Sequence, residues 1–184
     1  QAGVFVPVLL PHVQRVLIPY NPSSFGGSIE NCRELLVKSL EKRGVQVTSV
    51  QIYEPNEVTQ KIVPFLSSID LLIVLPDSTL LGCLSDLGRL GEQHQFGVYA
   101  LMNYAKIYEG ASLVFGYYTY DSGKKAAGLI RRILEDGESP SLMPVQGLDD
   151  MYRIAVNKQE ALAQGVYEKM DPVALYLMEH GELT

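Results

Sequence analysis

The chain has 184 residues, 47% of them apolar, and carries 15 Lys and Arg against 21 Asp and Glu for a formal charge of -6. That apolar content supports a buried core in one compact domain, or in a domain with an appendage, without disulfide staples. The acidic balance, with no Lys/Arg cluster, excludes an electrostatic nucleic-acid footprint, and no uninterrupted apolar run is long enough to span a bilayer as a helix.

The opening stretch Gln1 to Leu10 is apolar, lacks a basic leader and is interrupted by Pro7, so it makes a poor signal peptide. Residues 1–15 read as a linker, and any targeting segment is expected to have been removed. Val16 to Tyr20 reads as a strand that stops at the Asn21-Pro22 turn. From Ser28 to Arg43 the apolar residues Ile29, Cys32, Leu35, Leu36 and Leu40 recur at helical spacing, and Gly44 is the left-handed stop. Alternation from Val45 to Ile52 predicts a strand. Asn56 then caps a helix over 57–66 that Pro64 shortens or kinks. The unbroken run Leu71 to Leu75 predicts a buried strand, followed by a helix over 79–94 and a further strand at 97–102.

A strand at 112–118 leads to a helix capped by Asp121, carrying Ala126, Ala127, Ile130, Ile133 and Leu134 and closed by Gly137. Glu138 to Val145 is an extended connector, Tyr152 to Val156 a short strand, and Asn157 the cap of a helix ending near Gly165. Pro172 suits the first turn of a final helix through Glu179. There is no internal repeat and no low-complexity segment. Alternation this regular predicts an α/β fold with a doubly wound, mostly parallel sheet.

Two junctions share one pattern: an apolar strand, a proline, then short polar side chains ahead of a helix. They place Asn21, Ser23 and Ser24 at one strand end and Asp77, Ser78 and Thr79 at another, where open α/β sheets bind ligands. Exposed N–H groups and hydroxyls suit a ligand carboxylate, and Asp77 suits an amine. The same residues also serve as N-caps and turn formers. No other constellation carries chemistry. His12, His94 and His180 have no metal-ligand spacing, Cys32 and Cys83 read as thiols within helices, no Gly-x-Ser-x-Gly occurs, and Gly26-Gly27 is too short to cradle a phosphate. Tyr117, Tyr118 and Tyr120 read as core tyrosines with wet hydroxyls ahead of ligand-stacking residues. The expectation is a binding protein without catalysis, cofactor or metal.

In order and spacing, Val16 to Pro22, Pro76 to Thr79, Phe115-Gly116 through Gly128, Ile133-Leu134, Pro140 to Val145, Tyr152-Arg153 and Asn157 resemble the carboxyl-terminal part of ABC-transporter substrate-binding proteins. The resemblance is to uncharacterised and tryptophan-type members with the type I periplasmic-binding fold, and it spans about 16–165. It implies a clamshell of two Rossmann-like lobes closing on a small, amino-acid-like ligand and docked to a membrane permease. It also implies a periplasmic or extracytoplasmic location and leaves open a lipid anchor in a full-length precursor. On that map 16–98 resembles the second lobe and 99–184 the returning part of the first, whose opening half has no counterpart here. Asn103 and Tyr104 stand where many relatives carry an acidic pair, and they join the six turn residues as carried-over ligand contacts. Two alternatives remain: a ligand-sensing domain attached to a signalling module, and a flavodoxin-like enzyme, which the missing fingerprints disfavour. Apolar faces left over by the absent half lobe predict a homodimer.

Overall fold

In the computed structural model, which describes residues 2–101, 109–147 and 152–179, six segments hydrogen-bond into a single sheet. They are β1 (Arg15–Tyr20), β2 (Gln46–Gln51), β3 (Leu71–Val74), β4 (Gly97–Leu101), β5 (Leu113–Gly116) and β6 (Arg153–Val156), in the spatial order β2-β1-β3-β4-β5-β6. The first five run parallel and β6 pairs antiparallel with β5. Each strand lies within two residues of its expected bounds. Leu71, Leu72, Ile73 and Val74 are all at 0% exposure, which is why β3 reads as an unbroken apolar run: helices cover both of its faces.

The helices are α1 (Ala2–Leu9), α2 (Ser28–Glu41), α3 (Val58–Ile62), α4 (Ser78–Leu81), α5 (Leu84–His94), α6 (Thr119–Leu134), α7 (Lys158–Ala163) and α8 (Pro172–Glu179). Side chains of α1, α2 and α8 share one core with Val16, Ile18, Ile73 and Tyr99, and those of α3, α4 and α5 share the other with Leu17, Leu72, Val74 and Val98. Alternate strand residues thus feed opposite cores, as the pleat requires. At the start of the sheet the Asp70 carboxylate accepts from the backbone N–H groups of Gln14 (3.0 Å) and Arg15 (2.9 Å) and from the Arg15 guanidinium (3.1 Å). Partial burial disfavours the charged carboxylate, and these bonds outweigh it, holding Asp70 below its ordinary pKa. β1 and β3 are thereby pinned side by side.

Several expectations need correction. Residues 2–9 of the supposed linker are a helix, with Val6 and Leu9 buried and Leu9 O accepting from Asp171 N–H at 2.9 Å, next to α8. The boundary expected at residue 98 falls inside β4, and strands from both sides share one sheet. Glu54, not Asn56, caps the segment after β2, in a reciprocal capping box with Glu57 ahead of Pro55. Pro64 acts as expected, since α3 ends at Ile62 and the chain tightens into a 3₁₀ turn over Val63–Ser68. The helix expected over 79–94 breaks at Gly82-Cys83, so Cys83 lies between helices, and α6 begins at Thr119 with Asp121 in its first turn. Tyr118 and Tyr120 are exposed, whereas Tyr117 packs edge-on against Tyr152 with ring centroids 5.6 Å apart.

Candidate functional site

β1 lies between β2 and β3, and the helices that follow β1 and β3 go to opposite faces of the sheet. This is the switch point at which parallel sheets open a crevice beyond their carboxyl ends. Both polar turns end there. After Tyr20 the Asn21 carbonyl accepts from Ser24 N–H at 3.1 Å and its Oδ1 accepts from Ser23 N–H at 2.9 Å, closing a compact Asx turn. Phe25 then adopts φ 49°, ahead of Gly26 at 62° and Gly27 at 87°. Left-handed backbone costs the glycines little and Phe25 more, and Phe25 is 65% exposed.

After β3 the chain passes Pro76, and Asp77 caps α4 by accepting Thr79 N–H at 2.9 Å through Oδ1. The two turns are joined directly. Asn21 N–H donates to Asp77 Oδ2 at 2.5 Å, Asn21 Nδ2 donates to Thr79 Oγ1 at 2.9 Å and to the Tyr53 carbonyl at 3.3 Å, and the Ser24 and Ser78 hydroxyls lie 3.4 Å apart. Asn21, Ser23, Ser24, Asp77, Ser78 and Thr79 therefore assemble at one sheet edge. Asn103 and Tyr104 lie outside the described residues.

Within the cluster the six differ in what they offer a ligand. Ser23 and Ser78 are exposed, Asn21 and Thr79 half-buried, Ser24 buried, and Asp77 is at 0% exposure. The loop after β2 adds Tyr53, 49% exposed, with the Lys61 ammonium 5.5 Å above its ring. Sequence reading passed over Tyr53 and Phe25; the signal for Tyr53 was its place directly after β2, the strand beside the switch point. The Lys61 ammonium bonded to Glu57 holds that carboxyl below its ordinary pKa, and Glu57 also accepts Tyr53 N–H at 3.0 Å. Beneath α4 the Cys83 thiol donates to the Thr79 carbonyl at 3.7 Å, and burial pushes its pKa up, so it stays protonated. Among the described residues no group of His, Cys, Asp and Glu could hold a metal ion.

The family model described as ABC transporter substrate binding protein matches residues 5–174. A search of curated protein sequences finds no match. Among solved structures, a conserved domain protein from Vibrio cholerae is 21% identical with a TM-score of 0.78, over 96% of this chain and 57% of that one. The ligand-free, open form of a substrate-binding protein with adhesive properties from Clostridium difficile is 26% identical with a TM-score of 0.73, over 89% and 54%. An ABC domain from Streptococcus pneumonia in complex with L-Trp is 19% identical with a TM-score of 0.72, over 91% and 57%. The chain thus spans little more than half the length of these relatives, and its fold is that of the type I periplasmic-binding proteins.

Proposed function

The chain belongs to the ABC transporter substrate-binding protein family, and from that membership we propose that it is the solute-binding component of an ABC-type uptake system, taking a small amino-acid-like ligand outside the cytoplasm and presenting it to a permease. The observation that supports this most is the meeting of the two polar turns at the switch point. There the Ser23 and Ser78 hydroxyls, with the half-buried Asn21 and Thr79, offer short polar groups to one end of a ligand, while Phe25 and Tyr53 offer ring faces beside them. Such a surface orients a carboxylate and an apolar side chain. It suits binding, and the family's role needs no more.

Thermal unfolding of the intact chain against the twenty L-amino acids, L-tryptophan first, tests the reading. A ligand at a hundredfold its Kd adds about 2.7 kcal/mol of apparent stability, which for a chain of this size moves Tm by roughly 5–10 °C. One amino acid or a small related group is expected to do so, and a flat response to all twenty, with the protein folded, removes the amino-acid assignment.

The exposed stripe of α6 supports a second part of the proposal, self-association. α6 contributes no buried residue, and Ile130 and Leu134 are 54% and 77% exposed on a helix with Ala126, Ala127 and Ile133 at compatible spacing. β4, β5, β6 and α8 are absorbed into the sheet and its α1/α8 face, and α6 offers the apolar helical stripe that a second copy of the chain would cover. Sedimentation at micromolar concentration is expected to show a dimer. Ile130→Glu with Leu134→Glu should yield monomers whose unfolding free energy changes by no more than about 0.5 kcal/mol, as for surface sites; a monomeric parent chain at that concentration removes this part.

A further inference from the structure

Asp77 was expected to receive a ligand amine, and its surroundings argue for a different role. The carboxylate is fully buried, and each of its oxygens already accepts a backbone N–H: Oδ1 from Thr79 at 2.9 Å, on its own turn, and Oδ2 from Asn21 at 2.5 Å, on the turn 56 residues earlier. Each oxygen keeps a second lone pair, but the carboxylate is closed off from solvent, so an ammonium group has no approach to it. Its Oδ2 bond instead fixes where the Asn21 turn sits, and the rest of that turn follows. The Asn21 side chain reaches Thr79 Oγ1 and the Tyr53 carbonyl, its Oδ1 holds Ser23 N–H, and its carbonyl holds Ser24 N–H.

We infer that Asp77 is a positioning residue, a latch that sets the β1–α2 turn against the β3–α4 turn so that Asn21, Ser23, Ser78 and Thr79 face one ligand, and that it does not itself pair with the ligand's amine. The inference rests on the proposed binding site for its functional meaning; the latch itself stands on geometry. The charge that recognises an ammonium group, where the ligand has one, comes from outside this pair of turns, and the turns take the ligand's acidic or neutral polar end.

The two bonds of the latch can be separated by substitution. Serine and asparagine are good N-caps, so Asp77→Ser and Asp77→Asn keep the bond to Thr79 N–H that starts α4. Serine is too short to reach Asn21 as well, and asparagine would turn its own NH₂ toward a donor. In both variants amide hydrogen exchange should leave Thr79 protected within about threefold of the parent chain and speed exchange at Asn21 by tenfold or more, with Ser23 and Ser24 following. Asp77→Ala should expose both amides. Titration with L-tryptophan and with indole-3-propionate, which keeps the ring and carboxylate and lacks the ammonium group, supplies the functional arm. Loss of the latch should weaken both probes by the same factor, about tenfold to a hundredfold, whereas an amine partner would weaken L-tryptophan alone. Unchanged Asn21 protection in Asp77→Ser and Asp77→Asn, or a loss confined to L-tryptophan, overturns the inference. If neither probe binds the parent chain, the choice of ligand fails while the exchange data still decide the latch.

Discussion

Phe96→Ala should lower the unfolding free energy by about 3–5 kcal/mol, the cost of deleting a fully enclosed aromatic ring and leaving its cavity. Phe96 is at 0% exposure and sits where the chain turns from α5 into β4, after Gln95 in left-handed backbone at φ 60°. Its N–H closes the helix end on the Gly91 carbonyl at 3.1 Å, and its ring belongs to the core that holds Leu72, Leu84, Leu87 and Val98 beneath α3, α4 and α5. That core supports the turn at Asp77, because Leu80 of α4 is at 0% exposure within it. Urea unfolding should show the shift as a lower midpoint with little change in slope, and thermal unfolding as a drop of roughly 10 °C. A loss under about 1 kcal/mol would mean that this face of the sheet is not packed as its burial indicates.

The strands were legible because their covering is written into local pattern. Leu71 to Val74 is apolar throughout since both cores need it, and β2, at the edge of the sheet, mixes polar residues with Val47 on one core and Val50 on the other because it is partly exposed. The convergence of the two turns followed from the same reasoning, since parallel strands end on one side of a sheet. What local pattern could not supply was long-range. α1 looked like a linker because its apolar residues have no polar face and Pro7 lies inside it, and its partner α8 comes from the far end of the chain. Nor could local pattern show that the sheet runs unbroken past residue 98, because the pairing of β4 with β3 on one side and β5 on the other is itself long-range. The cap at Glu54 was passed over for Asn56 because glutamate caps only through the reciprocal bond to Glu57. Asp77 shows the limit most clearly. An aspartate after a strand and a proline fits both an N-cap and an amine receptor, and the Asn21 N–H that separates those roles arrives from 56 residues away.

The second large effect is expected at Gly88, where helix α5 meets the turn that feeds β5. A Cβ added to Gly88 would stand 2.5 Å from the Gly110 carbonyl oxygen and 2.7 Å from its Cα, and one added to Gly110 would stand 3.0 Å from the Leu84 carbonyl oxygen. Gly110 also has φ 103°, which side chains rarely adopt. The two backbones therefore ride directly on each other, and the atoms in the way are main chain, which cannot swing aside as a flexible side chain would. Gly88→Val gains a few tenths of a kcal/mol in helix propensity and meets an overpacking cost at the upper end of the usual range, about 3 kcal/mol. Gly88→Ala should lose about half as much, since its larger propensity gain offsets more of a smaller clash. The strain should spread along β5, whose start is held through Ser112, with its hydroxyl 3.1 Å from Val98 N, and through Gln164, which donates to Gly110 O at 2.8 Å and accepts Val98 N–H at 2.9 Å. In urea unfolding and amide exchange, Gly88→Val should lower the midpoint and weaken protection at Val98 and Ser112 ahead of β1 and β2. A variant as stable as its parent, with those amides still protected, would show that α5 can lift from the turn without cost.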